Sequence, residues 1–155
     1  MIYEKIWKKI LNQDEKIEYE FSISERYRKI HLVFFGIISI ILIITEPHYI
    51  GVLAFLLVVF YYGFYIKIAN AYAFTQKRII IHQGWLSTKT ISIDYEKITD
   101  ITVEEPLLDR VITHTGNLVI NTAGTDFPEV VLTRISRPYE IKKKLDHFRG
   151  KSLLK

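Results

Sequence analysis

The 155 residues include no cysteine, so a disulfide framework, a thiolate metal site and a thiol nucleophile are all excluded. Catalytic signatures are also missing. There is no P-loop, no G-x-G-x-x-G, and no H-E-x-x-H or H-x-x-x-H among His31, His48, His82, His114 and His147. Glu104 and Glu105 are adjacent, which sends their carboxylates to opposite faces of a strand rather than into one acid–base pair. The serines and threonines have no placed base beside them. The inventory therefore reads as non-enzymatic, with no cofactor and no metal. Nucleic acid is set aside as well. The pI is about 9.2, but the excess is only +4, and no basic stripe is interleaved with stacking aromatics.

The most telling lack is of charge over one long stretch. From Ile30 to Ile66, Glu46 is the only Asp, Glu, Lys or Arg. Ile, Leu, Val and Phe supply 12 residues between Ile30 and Thr45 and 11 between Ile50 and Ile66. Each favours insertion by roughly 0.3–0.6 kcal/mol near a helix centre. At about 1.5 Å per residue, some 20 residues match a hydrocarbon thickness of roughly 30 Å. The second run meets that length, and the first falls short unless Arg28 and Lys29 extend it by snorkelling. Glu46-Pro47-His48 breaks the pattern as a turn. The expectation is a transmembrane helical hairpin over 30–66, with spans of about 30–45 and 48–67. Gly36, Ser39, Gly51 and Gly63 offer small residues for close helix contact. Arg26, Arg28 and Lys29 precede the hairpin, Lys67, Lys77 and Arg78 follow it, and its turn carries no Lys or Arg. The positive-inside rule then places a multi-pass protein in the cell membrane with both termini cytoplasmic. Segment charges of +1 (1–29), −1 (30–66) and +4 (67–155) agree.

Average hydropathy hides this division: 49% apolar and 25% charged with mean hydropathy +0.13 resembles a soluble protein. Within residues 1–29, Ile2, Ile6 and Ile10 recur at helical spacing, with Asn12 as a stop. This helix lies on a membrane surface or packs on the folded domain, and the pattern fits both. Ile17, Tyr19, Phe21 and Ile23 then alternate with polar residues as a half-buried strand of unassigned sheet. From residue 69 to 149 the period is that of strands: Ala71–Thr75, Arg78–Gln83, a segment with Ile91 and Ile93, one with Ile101 and Val103, one with Leu118 and Ile120, and Glu129–Thr133. Pro138 opens a final helix with Ile141, Leu145 and Phe148 on one face, Gly150 is a stop signal, and 150–155 reads as a tail.

Tyr72-Ala73-Phe74-Thr75-Gln76-Lys77-Arg78, the hairpin Gly84, Ile98-Thr99-Asp100-Ile101, Arg110, Gly116-Asn117-Leu118-Val119-Ile120-Asn121-Thr122 and Pro138-Tyr139-Glu140-Ile141 stand in a recognisable order. Together with the upstream hydrophobic pair and Asp14-Glu15-Lys16-Ile17, this order resembles the membrane-anchored bacterial and archaeal PH-like proteins of the YdbS/YdbT type, which carry bacterial PH domain 2. The resemblance covers about residues 14–149. It implies a mainly-β PH-like domain of two packed antiparallel sheets capped by a C-terminal α-helix. It also marks Thr75, Arg78, Gly84, Asp100, Arg110, Gly116 and Pro138 as structural motif positions. On the residues themselves, pairing of Arg78 and Arg110 with Asp100 or Asp109 is an equal alternative to a contact role. Two functions fit such a domain. One is a protein-interaction or self-assembly module, meeting a protein partner or another copy of itself. The alternative is a sensor of anionic phospholipid head groups. Lys77, Arg78, Arg134, Arg137, Lys142 and Lys143 are the candidate contacts for lipid or partner.

Overall fold

A computed structural model describes residues 3–12, 14–45, 48–123 and 129–153. Glu46, Pro47 and most of the loop expected between Ala123 and Pro128 lie outside these residues.

The chain opens with α1 (Glu4–Ile10) and β1 (Ile17–Phe21). Two long helices follow. Helix α2 (Glu25–Ile44) starts five residues before the uncharged run, because Ser24 accepts the Tyr27 amide at 3.5 Å and caps it. Helix α3 (His48–Ala69) is π-helical over Val59–Tyr65 and returns antiparallel to α2. Strands β2 (Asn70–Thr75), β3 (Arg78–Gln83) and β4 (Lys89–Asp94) then join β1 in one antiparallel sheet of order β1-β2-β3-β4. A short turn, Tyr95–Lys97, carries the chain into a second antiparallel sheet of order β5-β6-β7 (Ile98–Glu104, Thr115–Thr122, Glu129–Ser136). Helix α4 (Pro138–Leu153) closes the fold. It runs through Gly150, so the expected stop and tail are corrected. The glycine is exposed and nothing competes for its backbone, so its cost of about 1 kcal/mol is tolerated.

The core fills the space between the sheets. Tyr72, Phe74, Ile79 and Ile81 from the first sheet meet Leu118, Ile120, Leu132 and Ile135 from the second, and Ile141 and Leu145 of α4 seal one side. Basic residues of α4 help to hold it there. Lys142 Nζ donates to the Ile101 carbonyl (2.7 Å), Arg149 to the Ile98 carbonyl (2.8 Å), and Lys144 lies 3.5 Å from the centre of the Tyr19 ring.

The outer face of the first sheet is covered too. Ala71, Ala73 and Ile80 form a second cluster with Tyr3 and Trp7 of the amino-terminal arm. The small alanines leave room for the helix, and Trp7 is only 3% exposed. Of the two placements open to α1, packing on the domain is the one adopted. It explains the unbroken Ile79-Ile80-Ile81, since a strand buried on both faces has no reason to alternate. Strand β1, whose sheet the sequence left open, pairs with β2.

One ion pair ties the arm to the first hairpin. Glu15 (side chain 4% exposed) accepts Arg78 Nη2 at 2.6 Å and Arg78 Nε at 2.9 Å, a bidentate geometry. The Thr75 hydroxyl donates to the same carboxylate at 2.8 Å. The expected pairing of Arg78 with Asp100 or Asp109 is thus corrected. Its partner lies 63 positions upstream, across both long helices. Burial opposes ionisation of Glu15, but the hydrogen bonds from Arg78 and Thr75 and the Arg78 charge outweigh it and hold its carboxyl below the ordinary value.

A depressed folded-state pKa stabilises above the unfolded value, about 4.3, and that stability is lost as pH falls through the folded value. Denaturant titration of the detergent-solubilised protein is therefore expected to show acid destabilisation that Arg78→Met abolishes. At neutral pH, Arg78→Met leaves a buried carboxylate unpaired and is expected to cost about 3 kcal/mol, whereas Glu15→Met/Arg78→Met costs less than the sum of the single changes. Additive losses would show that the two groups do not interact.

Candidate functional site

The strands give the domain two poles. Chain entering from α3 at Asn70 runs along β2 to the Gln76-Lys77 turn and returns along β3 to Gly84. Helix α2 leaves from the same end as Asn70, since Ser22 Oγ donates to the Asn70 carbonyl at 2.6 Å. The Asn70 end is therefore the pole beside the hairpin. The opposite pole holds Thr75–Arg78, Tyr95–Lys97 and the end of α4, linked by the Tyr95 hydroxyl donating to the Thr75 carbonyl at 2.7 Å.

The hairpin is clamped to the near pole. The Ser24 amide donates to the Arg134 carbonyl at 2.9 Å, and the Tyr3 hydroxyl to the Lys67 carbonyl at 2.5 Å. The Arg134 guanidinium sits 4.8 Å from the centre of the Tyr27 ring. Tyr27 stacks on His31 (4.0 Å between ring centres), and His31 on Tyr62 of α3 (5.6 Å). Ile23, Tyr27 and Ile66 form a small apolar cluster at this joint. Among the described residues three non-glycines, His114, Arg134 and Arg137, have left-handed backbones (φ 50–54°), and all three belong to this pole. Asn117 Oδ1 accepts the Arg134 amide at 3.0 Å, which helps to hold one of them.

The sequence-derived contact residues do not converge. Lys77 and Arg78 follow the second span closely in sequence, but β2 carries them about 17 Å from the joint at about 3.4 Å per residue. Arg78 is also engaged by Glu15. Arg134 and Arg137 lie at the near pole, with Arg137 3.4 Å from Glu140. Lys142 is tied to the β5 backbone, while Lys143 on the same helix is exposed. The motif positions separate as clearly. Thr75 and Arg78 build the arm lock. Gly84 has φ +96°, and a Cβ there would meet the Ser87 carbonyl. Gly116 lies against the Glu104 carbonyl, where a Cβ would come within 2.7 Å. Pro138 is the first residue of α4. Asp100 and Arg110 make no ion pair among the described residues; Asp100 accepts the Thr102 hydroxyl at 3.2 Å.

Among the described residues no three His, Asp or Glu gather to hold a metal ion. A groove of about 560 Å³ beside α1 is lined by Ile6, Lys9, Ile10, His82 and Thr90. Burial pushes the His82 imidazole below its ordinary value. Its Nδ1 lies 3.0 Å from the Thr90 hydroxyl, the neighbouring residue across the β3–β4 pair.

What sequence reasoning missed at the near pole is a set of exposed apolar side chains. Trp85 and Leu86 sit at the β3–β4 turn, and Leu107, Leu108, Val111 and Ile112 between β5 and β6. Trp85-Leu86 is a lone pair in a turn with no period, whereas Leu107/Val111 and Leu108/Ile112 recur at i, i+4 on the helical turn ending at Thr113, too short a run to stand out between strands.

Gly36, Ser39 and Gly51 are buried and Gly63 is exposed; Gly51 of α3 lies against the Leu42-Ile43 backbone of α2. Only Gly51 is sterically required among these, since a Cβ would come within 2.4 Å of the Ile43 backbone nitrogen. Gly51→Leu is therefore expected to destabilise the hairpin by about 1–3 kcal/mol, read as a lower melting temperature in detergent. Gly63→Leu is expected to be near neutral, because its Cβ would meet only a Val59 methyl at 4.0 Å. Equal effects would contradict the packing.

The fold has known counterparts. The family model described as Bacterial PH domain matches residues 23–149. The crystal structure of a DUF1696-family protein with a pleckstrin-homology domain from Shewanella loihica PV-4 aligns with a TM-score of 0.50 at 14% identity, over 94% of this chain and 91% of that one. A pleckstrin homology domain from Shewanella amazonensis SB2B also aligns with a TM-score of 0.50, at 16% identity, over 94% of this chain and 83% of that one. At such identities these likenesses speak to fold alone. No match is found among curated proteins. The two packed antiparallel sheets, the closing helix and the family match over most of the chain agree: this protein belongs to the bacterial PH domain family.

Proposed function

We propose that this chain is a non-enzymatic integral membrane protein with two spans, which presents its PH-like domain at the cytoplasmic membrane face as a protein-interaction or self-assembly module. The observation that carries the anchoring is the nakedness of the hairpin. Within the most apolar stretch of each long helix only 11% of residues are buried. Ile44 is 75% exposed and Leu56 61%. A core helix of a soluble protein is covered by its own domain, and the described residues leave most of these two uncovered. Lipid is the environment that fits such faces.

Orientation rests on the charges. Arg26, Arg28, Lys29 and Lys67 gather at the end where the hairpin meets the domain, which fits a cytoplasmic domain. The interaction role rests on the fold. The sheets end in four edge strands, β1, β4, β5 and β7, the kind of edge to which a partner strand adds. The head-group alternative draws support from Arg134 and Arg137 at the near pole. The dispersal of Lys77, Arg78, Lys142 and Lys143 over the rest of the domain weighs against it.

A reporter fused after Lys155 is expected to be active only as a cytoplasmic reporter, and activity on the outer side would overturn the orientation. The purified full chain in detergent is expected to be a stable assembly above the 18.3 kDa monomer mass, or to hold a protein partner at fixed stoichiometry. A monomer that instead retains anionic phospholipid in a salt-sensitive manner would favour the head-group alternative.

A further inference from the structure

The near pole displays apolar side chains that the domain core does not use. At the β3–β4 turn Trp85 is 40% and Leu86 89% exposed. Between β5 and β6, Leu107 is 77%, Leu108 69%, Val111 64% and Ile112 48% exposed. A water-facing surface seldom gathers such residues without a partner.

Both loops adjoin the hairpin, on different helices. The Trp85 ring packs on Phe60 and Phe64 of α3, with ring centres 6.0 and 5.7 Å apart. The Asp109–Thr113 turn packs against α2. One loop therefore adjoins the apolar face of α3 and the other adjoins α2.

Helix length then sets their depth. From Ile30 to Ile44 the first span offers 15 residues, about 22 Å of rise. From His48 to Ile66 the second offers 19, about 28 Å. A hydrocarbon layer of about 30 Å matches the second and exceeds the first. With the domain standing off in water, the first span would cross only by snorkelling of Arg28 and Lys29 or by thinning of the bilayer. Drawing the domain in until its near pole meets the bilayer boundary removes that mismatch.

Resting on the two-span reading, we propose that the Trp85-Leu86 turn and the Leu107–Ile112 loop form a membrane-insertion surface. They dip into the interfacial layer of one leaflet, one on the α3 side and one on the α2 side, and fix how the domain faces the membrane. Trp85 suits that layer because its ring is apolar and its indole N–H is polar. Arg110, exposed between Leu108 and Val111, lies where its guanidinium meets lipid phosphates.

The absence of cysteine makes the test direct, since each single-cysteine variant of the full chain reports alone. Leu86→Cys, Leu108→Cys, Ile41→Cys in mid-span and Glu96→Cys at the far pole are labelled with an environment-sensitive fluorophore. Each is placed in phosphatidylcholine/phosphatidylglycerol nanodiscs. The labels at 86 and 108 are expected to shift to the blue and to lose emission to a quencher carried high on the acyl chains. The label at 41 is expected to respond best to a deep quencher, and that at 96 to neither. If 86 and 108 behave like 96 while 41 is quenched, the insertion surface is wrong and the spans stand. If 41 is not quenched, the two-span reading fails and the insertion surface with it. A blue shift at 86 and 108 without lipid quenching places them against protein, and overturns the proposal in favour of contact between copies.

Discussion

Fifteen residues of α2, Ile30 to Ile44, carry no Asp, Glu, Lys or Arg, and the described residues leave their outward faces largely uncovered. That shortness constrains the rest of the molecule. A long apolar helix tolerates a flexible link to a distant domain. A short one forces the polar joint, its aromatic residues and the domain's near pole to the edge of the bilayer. The joint is built accordingly. Helix α3 runs into β2 with no linker, Ser24 and Tyr3 reach backbone carbonyls across the junction, and Tyr27, His31 and Tyr62 stack between the helices. A PH-like domain held in this way keeps one fixed face towards the hairpin and its opposite pole away from it.

The amino-terminal arm completes the domain. Without α1, the outer face formed by Ala71, Ala73 and Ile80 would be bare; without β1, the first sheet would lose an edge strand. The Glu15–Arg78 pair fastens this arm at the far pole, and the Tyr3–Lys67 contact fastens it at the near one. The hairpin is thus an insertion between two parts of a single sheet, β1 before it and β2 after it. The domain therefore folds only when chain on both sides of the spans comes together.

The two long apolar helices were legible because a missing charge is a local signal that the sequence alone reveals. Most strands were legible because Ile91, Ile93, Ile101, Leu118 and Ile120 alternate with polar neighbours where one face is buried. What escaped was long-range. The partner of Arg78 is unreadable from its neighbours, since Glu15 lies beyond two helices. The distance of Lys77 from the joint was concealed by its closeness in sequence to Ile66, because only the extended path of β2 separates them in space. Gly150 read as a stop from residue type alone, although no competing structure ends α4 there. Leu86 was silent because a turn carries no period, and Leu108 because its helical turn is too short for its i, i+4 partner Ile112 to stand out.

The central claim is that the hairpin crosses a bilayer with the domain on one side and the α2–α3 turn on the other. It is tested most directly by two-sided thiol labelling of the full chain with a membrane-impermeant maleimide. The account predicts that Thr45→Cys reacts from outside intact cells and Glu96→Cys only in inverted vesicles. Labelling of both positions from the same side would contradict it.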